Sequence, residues 1–318
     1  MDNVAVKFEC KECGKSFETE RQLHAHLKAH KLRVVEYYQK HYPRYDLYDN
    51  SIIKFKSKQH YFDSDFNSRT NQRKWLEEQP LEQTQDYLKD LLIKRKNKKN
   101  LLYSPCQVEL RTLMSPSIVT YEKYFANYYS LCEDLGFKNK YHNIDKIIKG
   151  GFSKKHKDLK VYIDTREQMP LKFNLPSEAK ALKYGDYALS NKELTCNCYI
   201  ERKSLADFIS TISVLNHDRF CREIERASEE KANLIIVVED NLTRALSFRH
   251  QPHISKKIKA TPEYIFHKVR RMIQNYEHIQ FLFVNGRKES VRVIEKIFST
   301  GCVYKSLDLQ LAYDKKIL

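Results

Sequence analysis

The sequence has no run of 18 apolar residues, and its first residues, MDNVAVKFECKEC, lack the apolar core of a secretory signal peptide. A transmembrane helix needs about 20 mostly apolar residues, so we expect neither a membrane-spanning helix nor a membrane partner. The chain also has no glycine-rich Walker-type loop, which argues against helicase activity. We expect an intracellular protein, cytoplasmic in a bacterium or virus and nuclear in a eukaryote.

Eight cysteines in 318 residues do not suggest a disulfide framework, and a reducing compartment fits better. Two of them lie in the segment FECKECGKSFETERQLHAHLKAH, residues 8–30, which has the spacing C-x(2)-C-x(12)-H-x(3)-H. A tight knuckle carries Cys10 and Cys13, and one helical turn separates His26 from His30, so the four ligands can meet tetrahedrally on Zn2+. Residues 1–32 are therefore predicted to form a ββα zinc finger with a structural zinc ion.

The role of this finger is open between DNA binding and protein binding. Its base-reading positions would be Thr19, Gln22 and Ala25, of which only Gln22 can make a bidentate base contact. The first 30 residues carry equal numbers of acidic and basic side chains, so charge gives the finger little attraction for phosphate. His24 is interpreted as an exposed helix residue.

The whole chain carries a formal net charge of +16, which favours a polyanionic partner such as DNA. Residues 33–149 are predicted to form a basic, mainly helical DNA-binding region, whose many tyrosines either pack a small core or stack on bases. A helix is expected from Pro80 to Lys96, with KRKNKK at 94–99 as a basic connector that contacts phosphates or serves as a nuclear signal. Residues 150–160, GGFSKKHKDLK, are predicted to be a linker.

A break at Ser115-Pro116 separates two predicted helices in this region, the second of which ends at Gly136. The stretch has a pattern made of Pro116, Ser117, Tyr121, Phe125, Tyr129, Leu131 and Gly136. In this pattern it resembles the small helical repeats found beside homing endonuclease domains. The resemblance implies DNA binding of helix-turn-helix character.

Three residues further along have the types needed for metal-dependent hydrolysis of a phosphodiester. Asp186 and Glu201 begin and end a predicted hairpin, so their carboxylates can meet at one end of a sheet and hold Mg2+ or Mn2+. Lys203 lies two residues after Glu201, hence on the same face of the strand, where its charge can orient a water molecule. Taken alone, such a D...E-x-K match is weak, since Glu beside Arg-Lys is usually a solvated ion pair.

The surrounding segments IDTREQ, GDY, IERKSLADFI and DRF strengthen this interpretation. Together they resemble the nuclease domain of the XPF/Mus family of structure-specific endonucleases, whose signature is GD-X(n)-ERK-X(3)-D. In this chain the signature is complete and consists of Gly185, Asp186, Glu201, Arg202, Lys203 and Asp207.

The resemblance implies a role for each matching residue. Asp186 and Glu201 would bind the catalytic metal, with Asp164 as a further carboxylate. Lys203 would position the attacking water, and Asp207 would orient its neighbours rather than touch metal. The basic members of the site would be Arg166, Arg202 and Arg219, which would either hold phosphate oxygens or pair with the acids. The family often shows Gln where this chain has Glu223, which adds negative charge near the site.

From residue 161 onward, predicted strands alternate with predicted helices, which favours an α/β nuclease domain over residues 161–318. The resemblance implies a restriction-endonuclease-like fold that pairs as a homodimer. Many members also carry paired helix-hairpin-helix elements. We do not expect them here, because only Gly286 and Gly301 follow the signature.

The sequence therefore predicts a Mg2+- or Mn2+-dependent DNA endonuclease that acts on branched, flapped or nicked DNA, as in DNA repair or recombination. Two alternatives stay open. One is a site-directed endonuclease of the homing type, and the other is a DNA-binding scaffold with an inactive nuclease fold. The intact set of acids and lysine argues against the scaffold.

Overall fold

The chain divides into two compact units, Met1–Thr84 with Leu113–Pro116, and Gln85–Thr112 with Ser117–Leu318. The computed structural model describes residues 8–44, 52–63, 69–113, 115–142, 160–189, 197–252, 254–255 and 258–318. Most of the predicted linker, residues 150–159, lies outside these ranges. The predicted domain boundaries therefore stay a prediction.

The first unit begins with a short antiparallel ribbon followed by a helix, as the predicted ββα finger requires. A capping box starts this helix, in which the Thr19 side chain accepts from the Gln22 N–H and Gln22 in turn caps the Thr19 N–H. The elements of this unit are β1 (Phe8–Glu9), β2 (Ser16–Phe17), α1 (Glu20–His26), α2 (Val34–His41), α3 (Lys58–Asp63) and α4 (Arg69–Glu78).

Helix α2 packs directly on the finger. Tyr37 is fully buried in one cluster with Cys10, Leu23 and Leu27. The Tyr37 hydroxyl also accepts a hydrogen bond from the Lys11 N–H at 2.9 Å. The hydrophobic core of the finger thus extends beyond residues 1–32, the predicted finger. So small a unit gains stability from an added helix.

The second unit is built on a mixed sheet in the order β4-β3-β5-β6-β7-β8. The inner strand β7 is buried along its whole length, as its run of β-branched residues predicts. It pairs in parallel with β6 and β8, while β5 pairs antiparallel with β3 and β6. The strands are β3 (Val161–Asp164), β4 (Ser177–Lys180), β5 (Tyr187–Leu189), β6 (Cys198–Lys203), β7 (Asn233–Val238) and β8 (Ile279–Phe283).

Helices flank this sheet and confirm the predicted α/β fold class. Phe208 and Phe266, from two of these helices, pack on Phe283 of β8 with ring centroids 5.4 and 5.8 Å away, the first edge-to-face and the second tilted. The flanking helices are α9 (Leu205–Ile212), α10 (Val214–Glu229), α11 (Leu242–Leu246), α12 (Pro262–Asn275), α13 (Arg287–Ser299) and α14 (Leu309–Asp314). The edge strand β4 and the last helix were not predicted, since both are short and their patterns are weak.

The second unit also contains helices that precede the nuclease segment in the sequence. They are α5 (Leu81–Lys99), from Gln85 onward, α6 (Gln107–Arg111), α7 (Ile118–Tyr124) and α8 (Tyr128–Asp134). Arg111 of α6 forms an ion pair with Asp314 at 2.7 Å, and Gln274 of α12 donates a hydrogen bond to Glu109 at 3.1 Å. These helices therefore share one body with the sheet.

Two local expectations about these helices were wrong. The KRKNKK run is not a connector, because α5 continues through it to Lys99. The single helix expected to end at Gly136 is two helices, because Asn127 accepts hydrogen bonds from the Tyr129 and Ser130 N–H groups and starts a new one. Tyr121 and Tyr129, two positions of the homing-type pattern, are buried in the core. The resemblance to homing-associated repeats stays a prediction.

Asp308 links α6 to α14. Its carboxylate accepts hydrogen bonds from the N–H groups of Gln107 at 2.6 Å and Leu311 at 3.0 Å. Burial raises the pKa of Asp308 to about 6, in spite of these two donors.

The pKa of Asp308 in the folded chain lies above its ordinary value of 3.8, so the folded state binds this proton more tightly than the unfolded state. The contribution of Asp308 to stability is therefore largest below pH 3.8 and declines as the pH rises through about 6. We expect the Asp308→Asn variant to lack this decline. The difference in free energy of unfolding, variant minus wild type, should therefore rise by up to about 3 kcal/mol between about pH 4 and pH 7. Urea denaturation at both pH values measures the change, and a difference that does not vary with pH would contradict it.

Candidate functional site

The antiparallel pairing of β5 with β6 brings Asp186 beside Glu201. The Asp186 N–H donates to the Ile200 carbonyl oxygen at 2.8 Å, and the Asp164 N–H donates to the Asp186 carbonyl oxygen at 2.8 Å. Gly185 precedes this point with a φ of +59°, and a Cβ on it would lie 2.6 Å from the Ile200 carbonyl oxygen. Only glycine combines this backbone conformation with so close an approach to β6.

Asp186, Glu201 and Lys203 come together at the end of β5 and β6, as the sequence predicts. The Asp186 carboxylate accepts a hydrogen bond from the Arg202 N–H at 2.7 Å. Burial, and then the negative charge of Glu201, raise the pKa of Asp186 to about 7. Lys203 Nζ donates to Glu201 Oε1 at 2.7 Å and lies 5.4 Å from the centre of the Phe220 ring. The two carboxylates therefore repel each other, and one lysine offsets only part of their charge.

Asp164 is also at this end of the sheet, but its carboxylate is already engaged. Arg166 donates to Asp164 Oδ1 from both its N–H at 2.8 Å and its Nε at 2.7 Å. Asp164 Oδ2 accepts from Arg166 Nη2 at 3.2 Å and from the Leu182 N–H at 2.7 Å. Burial alone would raise the pKa of Asp164, yet these hydrogen bonds lower it overall. The side chain thus holds the loop that contains Leu182.

Arg202 points to the opposite face of β6, because neighbouring strand residues alternate. Its guanidinium forms ion pairs with Glu167 at 3.2 Å and with Glu239 at 3.1 Å, and 13% of its side chain is exposed. Although burial opposes it, the charges of these partners raise its pKa. Two roles were open for Arg202, phosphate binding and pairing with acids. In the structure Arg202 pairs with acids.

Sequence reasoning missed Glu167 and Glu239 as partners of Arg202. Glu167 lies in the segment IDTREQ just after β3, and Glu239 directly follows β7. Both are charged residues at the ends of strands that meet at one edge of the sheet. That position was the signal that could have predicted them.

Two other predicted residues lie at the surface. Asp207 is exposed in the first turn of α9, where Ser204 Oγ donates to its carboxylate at 2.6 Å and the Asp207 N–H donates back to Ser204 Oγ at 3.1 Å. This is an N-terminal helix cap. The role of Asp207 in orienting the site residues stays a prediction. Arg219 is exposed on α10 and forms no ion pair with the residues that the structure describes.

Glu223 lies on α10, one turn after Phe220, whose ring is beneath Lys203. Its carboxylate is half-buried and makes no hydrogen bond or ion pair with any described residue. Burial, followed by the charge of Glu201, raises the pKa of Glu223, whereas Lys203 and Arg166 act in the opposite direction. The Glu223 carboxylate is therefore within range of the charges of Glu201 and Lys203.

The zinc ligands are gathered more tightly than these carboxylates. The ligand atoms of the four predicted zinc ligands all lie within 4.8 Å of one another; these residues are Cys10, Cys13, His26 and His30. In the described ranges, no other group of three or more His, Cys, Asp or Glu residues is this close together. Cys10 Sγ lies 3.6 Å from His30 Nε2, and Cys13 Sγ lies 3.3 Å from His26 Nε2. Two thiols and two imidazoles at this spacing fit tetrahedral zinc.

The exposed face of the finger helix is poorly suited to reading bases. Gln22 Oε1 accepts hydrogen bonds from the N–H groups of Glu18 and Thr19, both at 3.1 Å, so this oxygen is occupied by the helix cap. The expectation that His24 is exposed was wrong, because 10% of its side chain is accessible. His24 Nε2 lies 3.0 Å from the Tyr38 hydroxyl, and burial lowers its pKa.

No helix in the described part of the chain is both long enough and apolar enough to span a bilayer.

We expect Gly185→Ala to destabilise the second unit by about 1–3 kcal/mol, because Ala must adopt a left-handed backbone conformation and displace β6. Gly286→Ala is the matched control, since Gly286 has a φ of +86° with nothing within 4 Å of its Cβ position. Urea denaturation should show a larger loss for Gly185→Ala. Equal losses in the two variants would mean that the approach to Ile200 does not constrain the site.

We expect Cys13→Ala to lose the bound zinc ion and the fold of the finger, because so short a segment depends on the metal. The second unit should keep its thermal unfolding transition, and the zinc content measured by mass spectrometry should fall from one ion per chain to none. Cys221→Ala, which removes a half-buried thiol on α10, should leave the zinc content unchanged. Full zinc content in Cys13→Ala would contradict the assignment.

Comparisons with known proteins find two domain matches in this chain. Residues 163–297 match the ERCC4 domain, and residues 8–30 match the zinc finger of C2H2 type. Among solved structures, XPF from Aeropyrum pernix in complex with DNA is similar, with 19% sequence identity and a TM-score of 0.33. That similarity covers 49% of this chain and 66% of the other, just under two thirds. No curated protein matched. Two segments of the chain therefore match known domains: an ERCC4 domain over residues 163–297 and, before it, a C2H2-type zinc finger over residues 8–30.

Proposed function

We propose that this protein is a metal-dependent DNA endonuclease that hydrolyses phosphodiester bonds in branched, flapped or nicked DNA. The main support is the convergence of Asp186, Glu201 and Lys203 within an ERCC4 domain. The net charge of +16 agrees with a DNA substrate. Its preference for branched DNA is an inference from the family resemblance, as are its place in repair or recombination and its pairing as a homodimer.

Asp186 and Glu201 are suited to hold a divalent cation. Two carboxylates that repel each other in a partly buried site gain from a shared counterion, and carboxylate oxygens are preferred ligands of Mg2+ and Mn2+. A bound ion would polarise a phosphoryl oxygen and acidify a water molecule. The three predicted carboxylates do not lie within 4.8 Å of one another, so side chains must move when an ion binds.

Lys203 is suited to the second task, which is to orient the attacking water. Its ammonium group is fixed between Glu201 Oε1 and the Phe220 ring, so it is held in place without losing all of its hydrogen-bonding capacity. Arg166, with 73% of its side chain exposed, is a guanidinium at this end of the sheet that a phosphate can reach. Arg202 would act indirectly, because its ion pairs with Glu167 and Glu239 hold β6 in register.

Cleavage of a matched panel of DNA substrates tests this proposal. The panel contains linear duplex, nicked duplex, flap, fork and four-way junction, each with Mg2+, with Mn2+ and with EDTA. We expect cleavage of the branched or nicked substrates, lost with EDTA and reduced at least about a hundredfold in Asp186→Asn and Glu201→Gln, since a metal contributes several kcal/mol. Glu229→Gln, at an exposed position on α10, is the matched control.

Binding measured on the same panel separates catalysis from recognition. Asp186→Asn should bind the branched substrates as the wild type does, because the change removes a metal ligand and keeps the shape. Binding by the wild type without cleavage of any substrate would contradict the nuclease and favour a scaffold. Cleavage that persists at full rate in both variants would refute the assignment of Asp186 and Glu201.

A further inference from the structure

We propose that Glu223 is the third carboxylate of the metal centre, beside Asp186 and Glu201, in the place that the family resemblance would give to Asp164. This inference rests on the proposed function, because it concerns the same divalent cation. It assigns α10 a direct part in the site. A residue outside the GD-X(n)-ERK-X(3)-D signature would then touch the cofactor.

The first support is that Asp164 has no free oxygen to offer. It is 3% exposed, and each of its two carboxylate oxygens accepts two hydrogen bonds from Arg166 and Leu182. A hydrogen bond to a charged group contributes roughly 1.5–3 kcal/mol, and a buried donor that loses its acceptor incurs a further penalty. Ligation by Asp164 would therefore have to disrupt the β3 end and the Leu182 loop.

The second support is that Glu223 is free. Its half-buried carboxylate makes no hydrogen bond or ion pair with the described residues, although Lys203 and Arg166 are near enough to act on its charge. A partly desolvated carboxylate without a direct partner is costly unless something compensates it. A cation shared with Glu201 would do so.

The third support is the direction of α10. Phe220 is buried and its ring lies under Lys203 Nζ, so this face of the helix is turned toward the end of β6. Glu223 follows Phe220 by three residues and lies on the same face. The carboxylate oxygens of Asp186, Glu201 and Glu223 do not all lie within 4.8 Å of one another, so Glu223 must swing toward an ion held by Asp186 and Glu201. Its side chain has three rotatable bonds that allow this movement.

The charge balance of the cluster points the same way. Asp186, Glu201 and Glu223 supply three acids, Lys203 pairs with Glu201, and the Arg166 guanidinium is engaged by Asp164. A divalent cation would therefore meet an excess of negative charge. The glutamine that the family often shows at this position offers an oxygen but no charge, so this chain should bind its metal more tightly through Glu223 than a glutamine would allow.

Direct measurement of Mn2+ binding tests the inference without relying on activity. Full-length wild type, Glu223→Gln, Asp164→Asn, Glu201→Gln and the control Glu229→Gln would be titrated with Mn2+, with free Mn2+ followed by electron paramagnetic resonance. We expect Glu223→Gln to weaken binding at least about tenfold, as loss of a supporting or direct ligand does. Glu229→Gln should bind as the wild type does. Asp164→Asn should change Mn2+ affinity less than Glu223→Gln, but should lower the unfolding midpoint.

The outcomes separate this inference from the proposed function. Weaker binding in both Glu223→Gln and Glu201→Gln, with unchanged unfolding midpoints, supports the inference. Unchanged binding in Glu223→Gln with weaker binding in Glu201→Gln overturns the role of Glu223 and leaves the metal-dependent nuclease in place. Wild type that binds no Mn2+, or Glu201→Gln that binds as well as wild type, overturns both. If Glu223→Gln unfolds, Glu223→Asp replaces it in the test. Tight Mn2+ binding by Glu223→Asp would support Glu223 as a ligand, because this variant keeps a carboxylate. Weak Mn2+ binding by Glu223→Asp would contradict that role.

Discussion

The backbone hydrogen bond from Asp186 to Ile200 is the constraint on which the candidate active site depends. It joins the start of β5 to β6 one residue before Glu201, and it forms because Gly185 adopts a positive φ against the Ile200 carbonyl. The Asp164 N–H bonds to the Asp186 carbonyl oxygen on the other side. Three strands thus present their acidic residues at one end of the sheet, in an arrangement that the backbone fixes before any metal binds.

The side chains on the two faces of β6 have different surroundings. Glu201 and Lys203 face the cluster that contains Glu223, whereas Arg202 faces a pocket of two acids, Glu167 and Glu239. An arginine buried between two carboxylates is costly to disturb, since loss of any member leaves an uncompensated charge. The ERK triplet therefore combines one residue that anchors the strand with two that can take part in chemistry.

The sequence predicted the parts of this arrangement that depend on local pattern. Strand β7, the β5–β6 pair and the flanking helices α9, α10, α12 and α13 follow from apolar runs and strand alternation. The pairing of Asp186 with Glu201 follows from the hairpin. The pairing of Asp164 with Arg166 did not follow, because it depends on the turn after β3 and on Leu182, which is 18 residues away in the chain. The attachment of α6 to α14 through Arg111 and Asp314 joins residues about 200 positions apart, and no local pattern reports it.

The same limit applies to the third carboxylate of the proposed metal centre. A signature records which residue types recur, but whether a carboxylate is available depends on the hydrogen bonds around it. Asp164 accepts four hydrogen bonds, so to bind an ion it must exchange them for metal contacts and leave Arg166 and the Leu182 N–H without an acceptor. Glu223 has no such bonds to break, and it needs only to rotate its side chain, at roughly 1–2 kcal/mol of side-chain entropy. The smaller cost favours Glu223 as the carboxylate that moves to the ion, with Asp164 left to hold the scaffold in place.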